Sequence, residues 1–189
     1  VQVQCTVTRR NQDRLEELVR ELQKTRVGWM SFSFYVPRAN DDGPDAWPDN
    51  EARVPAVREV MRLRNEYPGF VRNTRRSLEL MLPEHAERVT AACPARDRVL
   101  PLYLDGHVFR TPGCCYGNDV DCVRCGAWVV FHLAAELEGR VADRTRELQD
   151  TQAALLNMVE DLNEQAKAME NAKERAEAMV VEILAEMRH

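Results

Sequence analysis

Five of the six cysteines fall within 33 residues: Cys93, Cys114, Cys115, Cys122 and Cys125. Cys122-Val123-Arg124-Cys125 is a C-x-x-C knuckle, a spacing that lets two thiolates reach one metal centre. Four thiolates, from Cys93, Cys114 or Cys115, Cys122 and Cys125, would satisfy either an iron–sulfur cluster or a four-cysteine zinc site, and residue types alone do not choose between them. The plainer alternative is a scattered set of buried thiols that binds nothing. Gly113, Gly117 and Gly126 supply the backbone freedom a knuckle needs. With no basic-then-apolar signal segment, the cysteines read as ligands in a reducing cytoplasm rather than as a disulfide framework. Cys5 is the exception: alternating with Val3 and Val7, it reads as a small core residue. His107 and His132 lie near the cysteines, yet a lone His is more often an ordinary surface or core residue.

Several elements must position these thiols. Leu100 to Phe109 reads as a short β-hairpin with Asp105-Gly106 as its tight turn, which would bring Cys93 and Cys114 together. Trp128, Val129, Val130 and Phe131 would wall the site off from water. Upstream, residues 1–8 alternate as a strand, Asn11 can cap a helix carrying Leu15, Leu18, Val19 and Leu22, and residues 29–36 form a second strand closed by Pro37. Residues 1–37 are thus a β-α-β unit with parallel strands. A polar loop spans 38–50, and helical spacing follows over 51–66 and 73–82. Two strands leave open sheet edges, so the missing strands are expected upstream.

Composition changes along the chain. Every Trp, Tyr and Phe lies at or before Phe131, and no Gly follows Gly139. From Ala134 onward, 13 acidic residues stand against 7 basic ones, so the tail holds the acidity of a chain whose net charge is -5. Val141, Leu148, Leu155, Leu162, Met169, Ala176 and Ile183 recur every seventh residue. The companion positions Thr145, Gln152, Val159, Ala166, Lys173, Val180 and Met187 complete an imperfect seam, which predicts a parallel homodimeric coiled coil over residues 141–187. A helix folded back on the globular part is the alternative. The acidic balance argues against nucleic acid, and no apolar run approaches the roughly 20 residues of a membrane span.

The strand-turn-helix-strand from Val3 to Pro37 looks like the late β-α units of a radical S-adenosylmethionine enzyme barrel. Cys93, twelve residues, Gly106, then Cys114 and the Cys122–Cys125 knuckle resemble the auxiliary-cluster extension, of SPASM or twitch type, that follows that barrel. The resemblance implies that Cys93, Cys114, Cys122 and Cys125 ligate an auxiliary four-iron four-sulfur cluster, with S-adenosylmethionine bound in the intact protein. It also places Thr8 and Arg9 just after a strand, where barrel active sites gather, as cofactor-binding residues, against the plainer reading of Thr8, Arg9 and Arg10 as a solvated turn. The family's C-x-x-x-C-x-x-C motif is absent, so the chain is not expected to generate a radical by itself. Seven residues separate Gly106 from Cys114 where the family pattern has four, which leaves Cys115 as an alternative ligand. The tail segments Arg144 to Leu148, Ala154 to Leu162 and Ala172 to Ala178 resemble the helical linkers that lead into histidine kinase cores, which implies a downstream signalling domain.

The expected protein is therefore α/β and cytoplasmic. It comprises a partial, second-half parallel β/α barrel over 1–92, a Cys-rich cluster segment over 93–133 and a coiled-coil helix over 134–189. A non-catalytic redox or metal sensor, or a structural zinc knuckle, is the rival reading.

Overall fold

The structure, a computed structural model, describes the backbone of residues 1–186 and the side chains of residues 1–180. It divides into two compact units, residues 1–139 and residues 140–189.

In the first unit, β1 (Gln2–Val7) alternates exposed with buried or half-buried residues, as one covered face requires. A 3₁₀ turn leads into α1 (Leu15–Gln23), which buries Leu15 and Val19 and returns the chain to β2 (Trp29–Phe34). The two strands pair in parallel, with Val3 opposite Met30 and Val7 opposite Phe34, as the β-α-β pattern predicts. Asn11 does not cap α1. Its amide reaches back instead, accepting from the Thr8 N–H at 2.8 Å and donating to the Thr6 carbonyl at 3.0 Å, so it closes the end of β1.

β2 is covered on both faces. Its second edge is closed by irregular chain: Met30 exchanges backbone hydrogen bonds with Phe70 and Arg72, and Phe34 donates to the Gly126 carbonyl at 2.8 Å. Between them the Asn73 side chain stands in for a strand, accepting from the Phe32 N–H and donating to the Phe32 carbonyl, both at 2.8 Å. β1's outer edge pairs with no strand among the described residues.

The partial β/α barrel is not present. Among the described residues there are two separate two-stranded sheets and no closed barrel. The reason is visible in the element order: after β2 the chain builds α2 (Asn50–Glu66), α3 (Arg75–Glu79), α4 (Pro83–Ala91) and α5 (Ala95–Arg98) with no strand between them. No β-α repeat is left to curl the sheet. Of the helix expected over 73–82 only the five residues of α3 form; Leu82 is extended and Pro83 opens α4, a separate helix beyond the expected range. Met30, Phe32, Phe34, Val57, Leu63 and Phe131 lie at the centre of the core these helices form with the sheet.

The hairpin forms from β3 (Tyr103–Asp105) and β4 (Val108–Arg110), with every strand residue exposed. Its turn falls one residue later than expected: Asp105 pairs with Val108, so Gly106 and His107 are the central residues, and Gly106 takes φ +61°. A glycine at positive φ in the first central position is what a type II′ hairpin turn demands. α6 (Trp128–Glu186) begins in the first unit.

The second unit is helical, and residues 140–180 are exposed throughout. Val141, Leu148, Leu155, Val159, Leu162, Met169 and Val180 are each 52–74% exposed. Met187 and the side chain of Ile183, both counted in the expected seam, lie outside the described residues.

Candidate metal centre

The knuckle is built by hydrogen bonds before any metal is considered. Asp121 accepts from the Val123 and Arg124 N–H groups at 3.1 and 3.3 Å, and the Cys125 N–H bonds the Cys122 carbonyl at 3.3 Å, so a tight turn aims both cysteines inward. The first turn of α2 then holds that turn from behind. Asn50 donates to the Val123 carbonyl at 3.0 Å, and Arg53 donates to the carbonyls of Arg124 and Cys125 at 3.0 and 3.2 Å. Asp49 fixes this end of the helix by accepting from the Ala52 N–H at 2.7 Å. Arg124 turns the other way, pairing with Asp121 and donating to the carbonyls of Asp41 and Trp47 at 3.0 Å each.

Gly126 is where the knuckle meets the sheet. A Cβ there would lie 2.6 Å from Phe34 Cβ and 2.8 Å from the Tyr35 carbonyl, so only glycine allows this approach. Trp128 follows with its N–H on Ser33 Oγ at 3.1 Å, which anchors the start of α6.

Cys93, Cys114, Cys115, Cys122 and Cys125 all line one partly enclosed cavity of about 30 Å³, walled by Thr90, Val99, Val130 and Tyr116 among others. The cavity draws cysteines from the end of α4, from the stretch after the hairpin and from the knuckle. The expected apolar wall is represented by Val130. Burial pushes the Cys125 thiol up to about 12, and the neighbouring Cys93 and Cys114 sulfurs add to the rise. Cys115 is raised as well, by burial first and then by Cys114 and Cys93. Arg96 Nη2 stands 4.0 Å from Cys122 Sγ on the exposed side.

Among the described residues no three His, Cys, Asp or Glu side chains converge closely enough to hold a single metal ion. One zinc needs four sulfurs at about 2.3 Å from a common point. A four-iron cluster binds each thiolate through a different iron, so its ligands stand further apart. The donor set, thiols only and gathered around one cavity, suits either arrangement in its chemistry.

The other candidates lie elsewhere. Arg9 lines a separate cavity with Asp41, Trp47 and Arg124, its N–H bonding the Asp45 carbonyl at 3.0 Å. Thr8 closes the turn after β1, its hydroxyl accepting from the Arg10 N–H at 3.3 Å. Neither lines the cysteine cavity. Cys5 is half-buried and packs against the core. His107 sits exposed in the hairpin turn, and His132 stacks on Trp128 at 4.5 Å with Nε2 3.4 Å from Glu136.

Arg53 was not singled out from the sequence, although a signal existed. It shares a helical face with Ala56, Val57, Val60 and Leu63, all buried, so a cation falls where the pattern calls for an apolar residue. In the structure Arg53 is 1% exposed. Burial pulls its guanidinium down to about 10, against a smaller opposing effect from Cys125.

Comparison of the chain with known protein families, with curated proteins and with solved structures finds no match. No helix among the described residues is long and apolar enough to cross a membrane.

Proposed function

We propose that this chain binds an iron–sulfur cluster, held by Cys93, Cys122, Cys125 and either Cys114 or Cys115, as in the auxiliary-cluster segments of radical S-adenosylmethionine proteins that the sequence resembles. The observation that carries the reading is the convergence of five cysteines, from separate parts of the chain, on one cavity. When bound, such a group accepts and passes single electrons. The chain's own residues hold the thiols: Asn50, Arg53 and Asp121 fix the knuckle, and Gly126 seats it against β2. With no C-x-x-x-C-x-x-C motif, the chain is not assigned a radical-generating step.

Anaerobic reconstitution with iron and sulfide, followed by metal analysis and a visible spectrum, tests this. About four irons per chain with broad visible absorption is the expected result. Cys93→Ser, Cys122→Ser and Cys125→Ser each abolish most of that iron, whereas Cys5→Ser leaves it. A colourless protein holding one zinc, or the same iron content in all four variants, overturns the reading.

The exposed heptad positions favour a second role for the same site. Residues 141–180 present an apolar seam to water, which pairing with a second copy of the chain would bury. A thiolate site joined to a dimerising helix of the linker type suits a redox or metal sensor coupled to a downstream domain. Oxidation-dependent change in a reporter fused after residue 189 supports that role, and an unresponsive reporter on an iron-loaded chain rejects it.

A further inference from the structure

Arg53 is a buried cation without a buried anion. Its Nη1 donates to two backbone carbonyls and its Nη2 to the Asn50 side-chain oxygen at 2.9 Å, while Nε has no partner. It forms no salt bridge among the described residues, whereas Arg14, Arg76 and Lys173 each pair with a carboxylate. Neutral acceptors explain why an amide or guanidine donor is useful behind the knuckle. They do not explain a full positive charge there, since burying an uncompensated ion is costly and a neutral donor could make the same bonds.

The missing negative charge is adjacent. Arg53 touches the carbonyl of Cys125, whose sulfur faces the thiol cavity. Four thiolates around an iron–sulfur core with a charge of two leave the assembly net negative. Arg124, in the knuckle itself, is neutralised by Asp121, and Arg96 is exposed and so screened by water.

We infer that Arg53 is a positioning residue whose buried charge balances the thiolate site, holding the loaded cluster and raising its reduction potential. This rests on the reading given under Proposed function. The positive charge stabilises the thiolates over the thiols and favours the more reduced, more negative state of the centre.

Asn50 gives a test that leaves Arg53 in place. Asn50→Asp sets a carboxylate against the guanidinium and neutralises it, at the loss of the bond to Val123. Asn50→Ala loses the same bond and also the acceptor for Arg53 Nη2, without adding charge, so a carboxylate that holds Arg53 better than alanine does and yet loosens the iron reports the charge. In full-length chains reconstituted with iron and sulfide, Asn50→Asp is expected to release iron to a chelator about tenfold more readily than Asn50→Ala, with a lower reduction potential. Metal-free, the order reverses and Asn50→Asp melts at the higher temperature. Arg53→Gln is expected to release iron about 10- to 100-fold more readily, and Arg53→Lys to stay near wild type. Equal iron retention and potential in Asn50→Asp and Asn50→Ala overturn the inference, as does Arg53→Lys behaving like Arg53→Gln, while a loaded wild-type chain leaves the cluster reading standing. A wild-type chain that takes up no iron overturns both.

Discussion

At Gly126 a single missing side chain decides whether the knuckle can rest on β2. Adding one methyl group forces it into Phe34 and the Tyr35 carbonyl, atoms that cannot swing aside. Gly126→Ala is therefore expected to destabilise the first unit by about 2 kcal/mol, read as a lowered denaturation midpoint, and to weaken iron uptake with it. Cys125 sets a pH limit of its own. Its folded thiol is raised to about 12 from an ordinary value of 9.0, so between those values the unfolded chain has lost a proton that the folded chain keeps. Stability of the metal-free protein then falls as pH rises through that window, by about 1 kcal/mol at pH 10 from this group. Thermal melts at pH 7 and pH 10 check this, and Cys125→Ser removes that part of the decline. The cysteines were legible as a group because thiols spaced in this way are rare. Arg53 was not, because its role depends on which backbone carbonyls lie behind α2, and no spacing rule encodes that.

Among the elements, β2 carries the most contacts that sequence alone could not foresee. Its pairing with β1 follows from alternation in one strand and a continuous buried run in the other. Its second edge is closed by Asn73 and by irregular segments around Phe70 and Gly126, which have no periodicity to read. Asn73→Ala leaves the Phe32 N–H and carbonyl buried without partners, and is expected to cost about 2–3 kcal/mol in denaturant titrations. Asn73→Asp keeps the acceptor but sets a buried carboxylate against the Phe32 carbonyl, so at pH 7 it is expected to cost at least as much as Asn73→Ala. The hairpin teaches a related lesson. Asp-Gly suggested the turn, yet cross-strand register moved it to Gly106 and His107, because the glycine fits best as the first central residue.

For the whole molecule, the barrel expectation failed where the β-α alternation stops after β2 and four helices follow in succession. One β-α-β unit is shared by many architectures, so it could not by itself specify closure. The heptads beyond residue 140 were legible because period-seven spacing is a property of the sequence itself. A lone helix with this seam exposed gains little from packing. Sedimentation of the full chain is expected to show a dimer, and Leu148→Glu combined with Leu155→Glu to give a monomer with lower helical content by circular dichroism.

The outward flank of Gln2–Val7 brings a further consequence. Alternate residues turn their amides and carbonyls outward there, the Thr6 carbonyl already taken by Asn11, with neither a lysine nor a proline to discourage lateral stacking. In crowded solution that flank is expected to favour lateral association between copies, read as a concentration-dependent turbidity that Gln4→Lys lowers.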